Sequence, residues 1–140
     1  MTRKTLAGVG LAAGLTAGVV GFMPVYLPPL PEAAPEIPDG KALVFGYATL
    51  SNPVVRSVVV GRPVVSDPGA LEGWTRMGRD LAAHPQGRVE GRVFAVSPRG
   101  LERLDRFEQT GLRYGRWLKQ LEDGREVWVY RMIPPVSGGR

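Results

Sequence analysis

Hydrophobic positions between residues 41 and 132 repeat with two periods, and these periods predict the secondary structure. Two-residue alternation and short apolar runs predict strands at residues 41–47, 70–77, 87–96, 113–121 and 126–132. An Asp-Gly pair at residues 123–124 predicts a hairpin between the last two strands. Gly73 and Gly91 interrupt two other strands, as glycines do in bulged or sharply bent strands. Residues 78–86 have no clear period, so we expect a surface loop there.

Two helices are predicted from the residues at which they begin. The Asn-Pro pair at residues 52–53 and the Ser-Pro pair at residues 97–98 each combine a helix-capping side chain with a proline suited to the first helical position. The first helix should end at Gly61, although its many valines favour a strand. The second should run to about Phe107 or Glu108.

The second predicted helix has a carboxylate where a leucine would be expected. At about 100° per residue, Leu101, Leu104 and Glu108 share one face, while Arg103 and Arg106 point the other way. An ionised carboxylate is costly to bury without partners, so a buried Glu108 either finds donors or has a raised pKa. A raised pKa suits a general acid or base near neutral pH. If the helix frays one residue earlier, Glu108 simply faces water.

An uncharged, apolar run from residue 5 to residue 31 follows Arg3 and Lys4. The run is long enough to cross a membrane, which takes about 20 residues. We assign residues 1–22 to a signal anchor, a transmembrane helix, and keep a cleaved signal peptide as the alternative. The basic amino end places the domain on the periplasmic or extracellular face, or leads to secretion if the segment is cleaved.

The remaining chain divides into three parts by composition. Residues 23–40 contain six prolines, which predicts an extended, semi-rigid linker that holds the domain away from the bilayer. The domain itself spans residues 41–133. Residues 134–140 are predicted to be a disordered tail.

Composition narrows the classes of chemistry. The chain has no cysteine, which excludes disulfides, thiolate catalysis and Cys-ligated zinc. Its single histidine, His84, cannot build a histidine-rich metal site, and we place it in a loop beside Pro85. We therefore expect neither a cysteine-ligated nor a histidine-rich metal site.

The net charge of +5 comes from the chain after residue 40, because residues 41–140 carry 16 of the 18 basic and 10 of the 13 acidic side chains. Fourteen of those 16 are arginines, which favour anionic ligands or phospholipid headgroups. They are spread along the chain without a basic run or interleaved aromatic residues, so we do not expect a nucleic-acid partner.

The order of elements predicts the fold class. Strand, helix, further strands, helix and hairpin within about a hundred residues indicate a mixed α/β domain with one core. Short, bent strands favour a sheet that curls into a small β-barrel with flanking helices.

Six segments resemble, in order, the γ-glutamylcyclotransferase-like family, including its AIG2-like branch. They are residues 44–50, 52–56, 70–74, 89–94, 104–108 followed by Tyr114, and 127–130. The resemblance implies a barrel-containing fold and an enzyme that cyclises γ-glutamyl amines or peptides to 5-oxoproline. The amine is released, and the small-molecule γ-glutamyl substrate is the expected partner.

The resemblance also implies the site residues. The family's catalytic glutamate falls on Glu108, and its substrate-cradling loop falls on Tyr47, Ala48, Thr49 and Leu50. One carboxylate can take a proton from the α-ammonium and return it to the leaving amine, while loop N–H groups stabilise the oxyanion. Ring closure is intramolecular, so no cofactor is required.

Two residues leave the activity open. Tyr114 is expected to bind substrate or to hold Glu108, and an ordinary core aromatic residue is the alternative. Ala48 stands where the family has glycine. Its methyl group costs strain if that position needs positive φ, or access if substrate approaches most closely there. A non-catalytic, membrane-anchored domain that binds a ligand or a partner is therefore the second hypothesis. The sequence does not indicate an oligomeric state.

Overall fold

The predicted strands and helices are all present in residues 26–134, the part of the chain that the structure, a computed structural model, describes. In chain order they are β1 (Ala42–Gly46), a 3-10 turn (Thr49–Ser51), α1 (Pro53–Val60), β2 (Ser66–Met77), β3 (Asp80–Val96), α2 (Pro98–Glu108), β4 (Tyr114–Gln120) and β5 (Glu126–Met132). The mixed α/β class is confirmed, with one five-stranded sheet and two α-helices.

Both helices begin as their first residues predict. The Asn52 side chain accepts hydrogen bonds from the two N–H groups of residues 54–55, and α1 ends at Gly61 in the left-handed conformation, with φ 85°. The Ser97 hydroxyl accepts a hydrogen bond from Gly100 N–H at 3.1 Å. The helix α2 includes Glu108 as its last residue, so this side chain is held by helical geometry.

The strand order in the sheet is β2-β3-β1-β5-β4, with β1 and β5 parallel and every other pair antiparallel. The sheet curls until the turn between β4 and β5 reaches the edge strand β2. There Glu122 N–H donates to Ala70 O at 3.0 Å, and the Arg125 guanidinium donates to Pro68 O at 2.9 Å. In the described residues, β2 and β4 form no ladder with each other, so the predicted barrel is a curled sheet whose edges meet at one corner.

The prediction of a surface loop at residues 78–86 is wrong, because most of this segment belongs to β3. Strands β2 and β3 form a long hairpin around the two-residue turn Gly78-Arg79. The pairing then jumps from Glu72 opposite Arg88 to Trp74 opposite Ala83, so that residues 84–87 oppose only Gly73. This bulge shifts the phase of the side chains, which hides the alternation that a strand normally shows. It also leaves His84 exposed within a strand, not in the expected loop.

Gly73 is at the predicted bulge and has φ +86°, whereas Gly91 pairs regularly with Gly69. A Cβ atom on Gly91 would lie 2.5 Å from Gly46 O. Gly91 is therefore needed for close approach to β1, not for a bulge.

Two groups of buried apolar side chains pack on opposite sides of β1. Val44 faces Leu101 and Leu104 of α2, in the cluster between the helices and the sheet. Phe45, the next residue, belongs to the cluster enclosed by the curled sheet, together with Val127. Successive residues of β1 therefore point into different clusters, one on each face of the sheet, where the sequence predicts a single core.

The described part of the predicted linker, residues 26–40, contains no helix or strand and packs on the domain. Leu27 is only 3% exposed, and the Arg106 guanidinium donates to Leu27 O and Pro28 O, both at 2.9 Å. Arg116 donates to Glu36 O at 3.1 Å. The segment makes one turn, in which Ala34 N–H donates to Pro31 O at 3.1 Å, and the carbonyl groups of residues 27, 28 and 36 accept the hydrogen bonds from the two arginines.

The transmembrane segment predicted at residues 1–22 lies outside the described residues, as does the predicted tail beyond residue 134. Within residues 26–134, no helix has both the length and the apolar character needed to cross a membrane.

Candidate active site

A cavity of about 250 Å³ opens between the loop after β1, the last turn of α2 and the hairpin of β4 and β5. It is lined by Phe45, Gly46, Tyr47, Ala48, Thr49, Leu50, Arg79, Phe107, Glu108, Arg113, Tyr114, Tyr130 and Met132. The structure thus brings together all six residues that the sequence assigned to a site. In residues 26–134, no three His, Cys, Asp or Glu side chains are grouped so that they could hold a metal ion.

Glu108 is partly buried in the wall of this cavity. Burial raises the pKa of its carboxyl group to about 7, and the positive charge of Arg79 opposes that rise. The water-facing alternative is therefore wrong, because α2 continues through Glu108 and turns its side chain toward the pocket. With a pKa near neutrality, this group can both accept and donate a proton.

The loop after β1 presents free backbone N–H groups. The amides of Ala48, Thr49 and Leu50 donate no hydrogen bond within residues 26–134. The carbonyl groups of the same loop are occupied, because Ser51 N–H donates to Ala48 O at 3.0 Å and Asn52 N–H donates to Thr49 O at 3.2 Å. The unpaired amides are in residues that line the cavity, so they are available to a negatively charged oxygen.

The loop can fold this tightly because Gly46 has no side chain. A Cβ atom at Gly46 would lie 2.7 Å from the backbone carbonyl of Leu50. The Leu50 side chain is buried in the core between the sheet and the helices, which fixes the far end of the loop. Thr49, between them, is exposed at the cavity.

Ala48 does not have the positive φ that favours glycine. Its φ is −121°, outside the left-handed region, so its methyl group causes no strain of that kind. The strain expected from a positive φ is therefore absent, whereas the effect of the methyl group on access to substrate stays a prediction.

The hydroxyl group of Tyr47 is hydrogen-bonded to the backbone of β5, so it is not free to bind substrate. It donates to Tyr130 O at 2.6 Å and lies 3.4 Å from Arg79 O. Burial and the nearby charges of Asp80 and Glu108 raise the pKa of Tyr47 above its usual range. Tyr47 therefore shapes the cavity through its ring and links β1 to β5.

The hydroxyl group of Tyr114 makes no hydrogen bond within the described residues, in contrast with that of Tyr47. Burial, followed by the charge of Glu108, raises the pKa of Tyr114. Tyr114 and Glu108 line the same cavity, and no hydrogen bond joins their side chains in the structure. Contact with a bound substrate fits this geometry better than a hold on Glu108. The ring of Tyr114 also packs against the cluster between the helices and the sheet, as the core-aromatic alternative predicts.

Sequence reasoning missed two arginines at the cavity, Arg79 and Arg113, both of which are exposed. Neither forms an ion pair within residues 26–134, so both are available to an anionic group. A signal for Arg79 existed, because a Gly-X pair between strands is typical of a two-residue hairpin turn. It was hidden by the irregular pairing that follows.

A buried ion pair holds α2 against β4 and β5. The Arg116 guanidinium donates to the two carboxylate oxygens of Asp105 at 2.9 and 3.1 Å, and the Tyr130 hydroxyl donates to the same carboxylate at 2.6 Å. Asp105 has no exposed surface. Asp105 is one turn before Glu108 on α2. The Asp105–Arg116 ion pair therefore fixes the part of α2 that faces the cavity.

Comparison with known proteins places the chain in a family. Residues 44–140 match the family described as gamma-glutamyl cyclotransferase, AIG2-like. No curated protein matches the chain.

Three solved structures share the fold. Two are solution structures of Arabidopsis thaliana proteins, with TM-scores of 0.57 and 0.54 at 26% and 23% identity; the match covers 71% of this chain and 76% and 66% of theirs. A structure titled gamma-glutamyl cyclotransferase has a TM-score of 0.53 at 17% identity, and the match covers 67% of this chain and 68% of that one. The chain belongs to the γ-glutamyl cyclotransferase, AIG2-like family.

Proposed function

We propose that this chain cyclises the γ-glutamyl group of a γ-glutamyl amine or peptide to 5-oxoproline and releases the amine. One observation supports the proposal most directly. Glu108, whose pKa is raised to about 7 by burial, shares a cavity with the unpaired amides of Ala48, Thr49 and Leu50. Family membership supports the same reaction type.

In the proposed reaction, the Glu108 carboxylate takes a proton from the α-ammonium group of the substrate. The freed nitrogen attacks the γ-carbonyl carbon, and the electron pair of the C=O bond moves to oxygen. When the tetrahedral intermediate collapses, the bond to the leaving amine breaks. Glu108 then returns its proton to that nitrogen, and the second proton of the attacking nitrogen passes to the released amine, which leaves as an ammonium ion. The carboxylate is thus restored after each turnover.

The cavity would lower the barrier in two further ways. The amides of the loop after β1 would stabilise the negative oxygen of the intermediate, which is present only during reaction. A cavity of about 250 Å³ is below the range of about 300–1,000 Å³ typical of small-molecule sites, so it suits a folded glutamyl group with the leaving amine at the mouth. Holding the chain folded supplies the proximity that ring closure needs.

The test is release of 5-oxoproline, measured by mass spectrometry, from a panel of γ-glutamyl amines and dipeptides. The full chain is used, because residues 26–40 pack on the domain. We expect Glu108→Gln to lower turnover by about 10²–10⁴-fold. Glu102→Gln, an exposed position on the same helix, is the matched control and should keep wild-type turnover. Equal release by Glu108→Gln would remove Glu108 from the mechanism.

The same panel separates an enzyme from a binding domain. If no compound is turned over, but one raises the melting temperature of the chain, the cavity binds a ligand without reaction. That result would replace the proposed enzyme with the non-catalytic alternative.

We also propose that residues 1–22 anchor the chain in a membrane with its domain outside the cytoplasm. The proposal is supported by the basic residues Arg3 and Lys4 followed by an uncharged apolar run. Extraction of membranes at alkaline pH should leave the chain in the pellet, and protease should reach the domain only from the outer side. Release into the supernatant would contradict the anchor.

A further inference from the structure

Arg56 is a buried cation without a counter-ion. Its side chain is on α1 and the residue is only 4% exposed, yet it forms no ion pair with a carboxylate in residues 26–134. Its Nε atom has no hydrogen-bond partner there either. Burial and the nearby Arg92 lower the pKa of Arg56. Burying an unpaired charge is costly, so this placement calls for an explanation.

The guanidinium group contacts the carbonyl side of the loop after β1. Its Nη1 atom donates to Ser51 O at 2.9 Å and to Leu50 O at 3.4 Å. Its Nη2 atom donates to the Ser66 hydroxyl at 2.7 Å, and the group lies over the ring of Phe94, 5.7 Å from its centre. Arg56 therefore contacts carbonyl groups of the loop and leaves the free amides of the loop uncovered.

Two chains of peptide groups connect this charge to the cavity. In the first, Arg56 donates to Ser51 O, the N–H of the same peptide group (Asn52) donates to Thr49 O, and that peptide group carries the free N–H of Leu50. Each hydrogen bond polarises the peptide group that it reaches, so the effect passes along the chain.

The second chain begins at the longer contact. Arg56 donates to Leu50 O, the N–H of that peptide group (Ser51) donates to Ala48 O at 3.0 Å, and that peptide group carries the free N–H of Thr49. Because the first contact is 3.4 Å, this chain should transmit less than the other.

We propose that Arg56 is a positioning residue that orients and polarises the Thr49 and Leu50 amides, making them stronger donors to the oxyanion of the reaction. The inference rests on the proposed cyclotransferase activity for its effect on rate. The effect on the amides themselves does not depend on turnover. A cation on the carbonyl side supplies electrostatic stabilisation without occupying the substrate cavity.

The test compares Arg56→Met, Arg56→Lys and the wild type in the full chain. Amide chemical shifts are read by ¹H–¹⁵N NMR, and turnover is read as 5-oxoproline release. In Arg56→Met we expect the amide proton of Leu50 to move upfield, and that of Thr49 to move less. We expect kcat to fall about tenfold with a smaller change in KM, because the oxyanion exists only in the transition state.

Arg56→Lys and a control arginine distinguish charge from structure. Lysine keeps the charge, so it should restore part of both the shift and kcat. Arg56→Met should lower the melting temperature only slightly, because the loss of the donor to Ser51 O and Leu50 O is offset by removal of a buried cation that has no counter-ion. Arg103→Gln is the matched control: Arg103 donates to the backbone oxygen of Val59 at 2.6 Å, away from the loop, so its loss should leave both readouts unchanged.

Amide shifts of Thr49 and Leu50 that stay at wild-type values in Arg56→Met would overturn the inference. So would a large fall in melting temperature that accompanies the loss of kcat and is not relieved by lysine. If the wild type releases no 5-oxoproline, the proposed function fails, and the amide shifts alone decide the role of Arg56.

Discussion

Glu108 and Asp105 are one helical turn apart on α2, yet their surroundings give them different tasks. Asp105 is fully buried and is matched by the Arg116 guanidinium and the Tyr130 hydroxyl. Glu108 is partly buried, and no hydrogen-bond donor reaches it in residues 26–134, so the pKa of its carboxyl group rises. The first holds the helix in place, whereas the second is left able to exchange a proton.

The sequence alone indicates a special role for Glu108 but not for Asp105. Glu108 can be found because it is on the same helix face as Leu101 and Leu104, where a carboxylate is unexpected. Asp105 gives no comparable signal, because its partner Arg116 is on another element. The contact exists only after the helix and the hairpin have packed, and no local pattern encodes it.

The raised pKa of Glu108 predicts how stability depends on pH. The folded state holds the proton more tightly than the unfolded chain, whose glutamate has a pKa near 4.5. The favourable contribution is therefore complete below about pH 4.5 and is lost as pH rises to about 7. We expect the free energy of unfolding of the wild type, minus that of Glu108→Gln, to fall by at most about 3 kcal/mol over this window. Urea unfolding at several pH values measures it, and a flat difference would contradict the burial of this carboxyl group.

The two tyrosines of the cavity should separate stability from activity. Tyr47→Phe leaves the buried Tyr130 O without its donor and should lower the free energy of unfolding by about 1–3 kcal/mol. Tyr114→Phe removes a hydroxyl group that has no partner within the described residues, so the free energy of unfolding should change by less than about 0.5 kcal/mol. If Tyr114 contacts substrate, Tyr114→Phe should raise KM for the γ-glutamyl substrate. The reverse pattern would show that the two roles are exchanged.

The helices and strands differ in how far local sequence determines them. Both helices begin at an Asn-Pro or Ser-Pro pair, a signal within two adjacent residues, and both beginnings are confirmed. The hairpin of β2 and β3 depends on pairing between distant residues and includes a bulge opposite Gly73, so residues 78–86 were mistaken for a loop. The same error concealed the position of Arg79 at the cavity.

The ion pair between α2 and β4 should behave as a single unit. Asp105→Asn leaves a buried cation without its counter-charge, and we expect it to lower the free energy of unfolding by about 3–5 kcal/mol. Adding Arg116→Met to this variant should recover part of the loss, because the unpaired cation is then removed. Urea unfolding of the single and double variants provides the measurement. A double variant less stable than Asp105→Asn would contradict this account.

The candidate site is assembled from distant parts of the chain, and the segment before the domain supports it. The cavity combines the loop after β1, the turn of β2 and β3, the end of α2 and the last hairpin. Residues 26–40 pack beside α2 through the carbonyl groups that Arg106 and Arg116 bind. Composition predicts a proline-rich spacer but not its docking, because the acceptors are backbone groups and the donors are far away in sequence.

Two neighbouring residues of that segment test its docking. Leu27 is 3% exposed, so Leu27→Ala should lower the free energy of unfolding by about 2 kcal/mol or more. Tyr26 is 85% exposed, and Tyr26→Ala should leave the free energy of unfolding unchanged within about 0.5 kcal/mol. Thermal and urea unfolding of the two variants check this. Equal stability of both variants would indicate that the segment does not contribute to the fold.

The ionisation of Glu108 tests the central claim most directly, because the proposed proton transfer requires a carboxyl group that is kept from water at the cavity wall. The measurement is a pH titration of the Glu108 side-chain carboxyl carbon by ¹³C NMR in the full chain, assigned by comparison with Glu108→Gln. The account predicts a midpoint at about pH 7. A midpoint near 4.5, the ordinary value of a solvated glutamate, would contradict it.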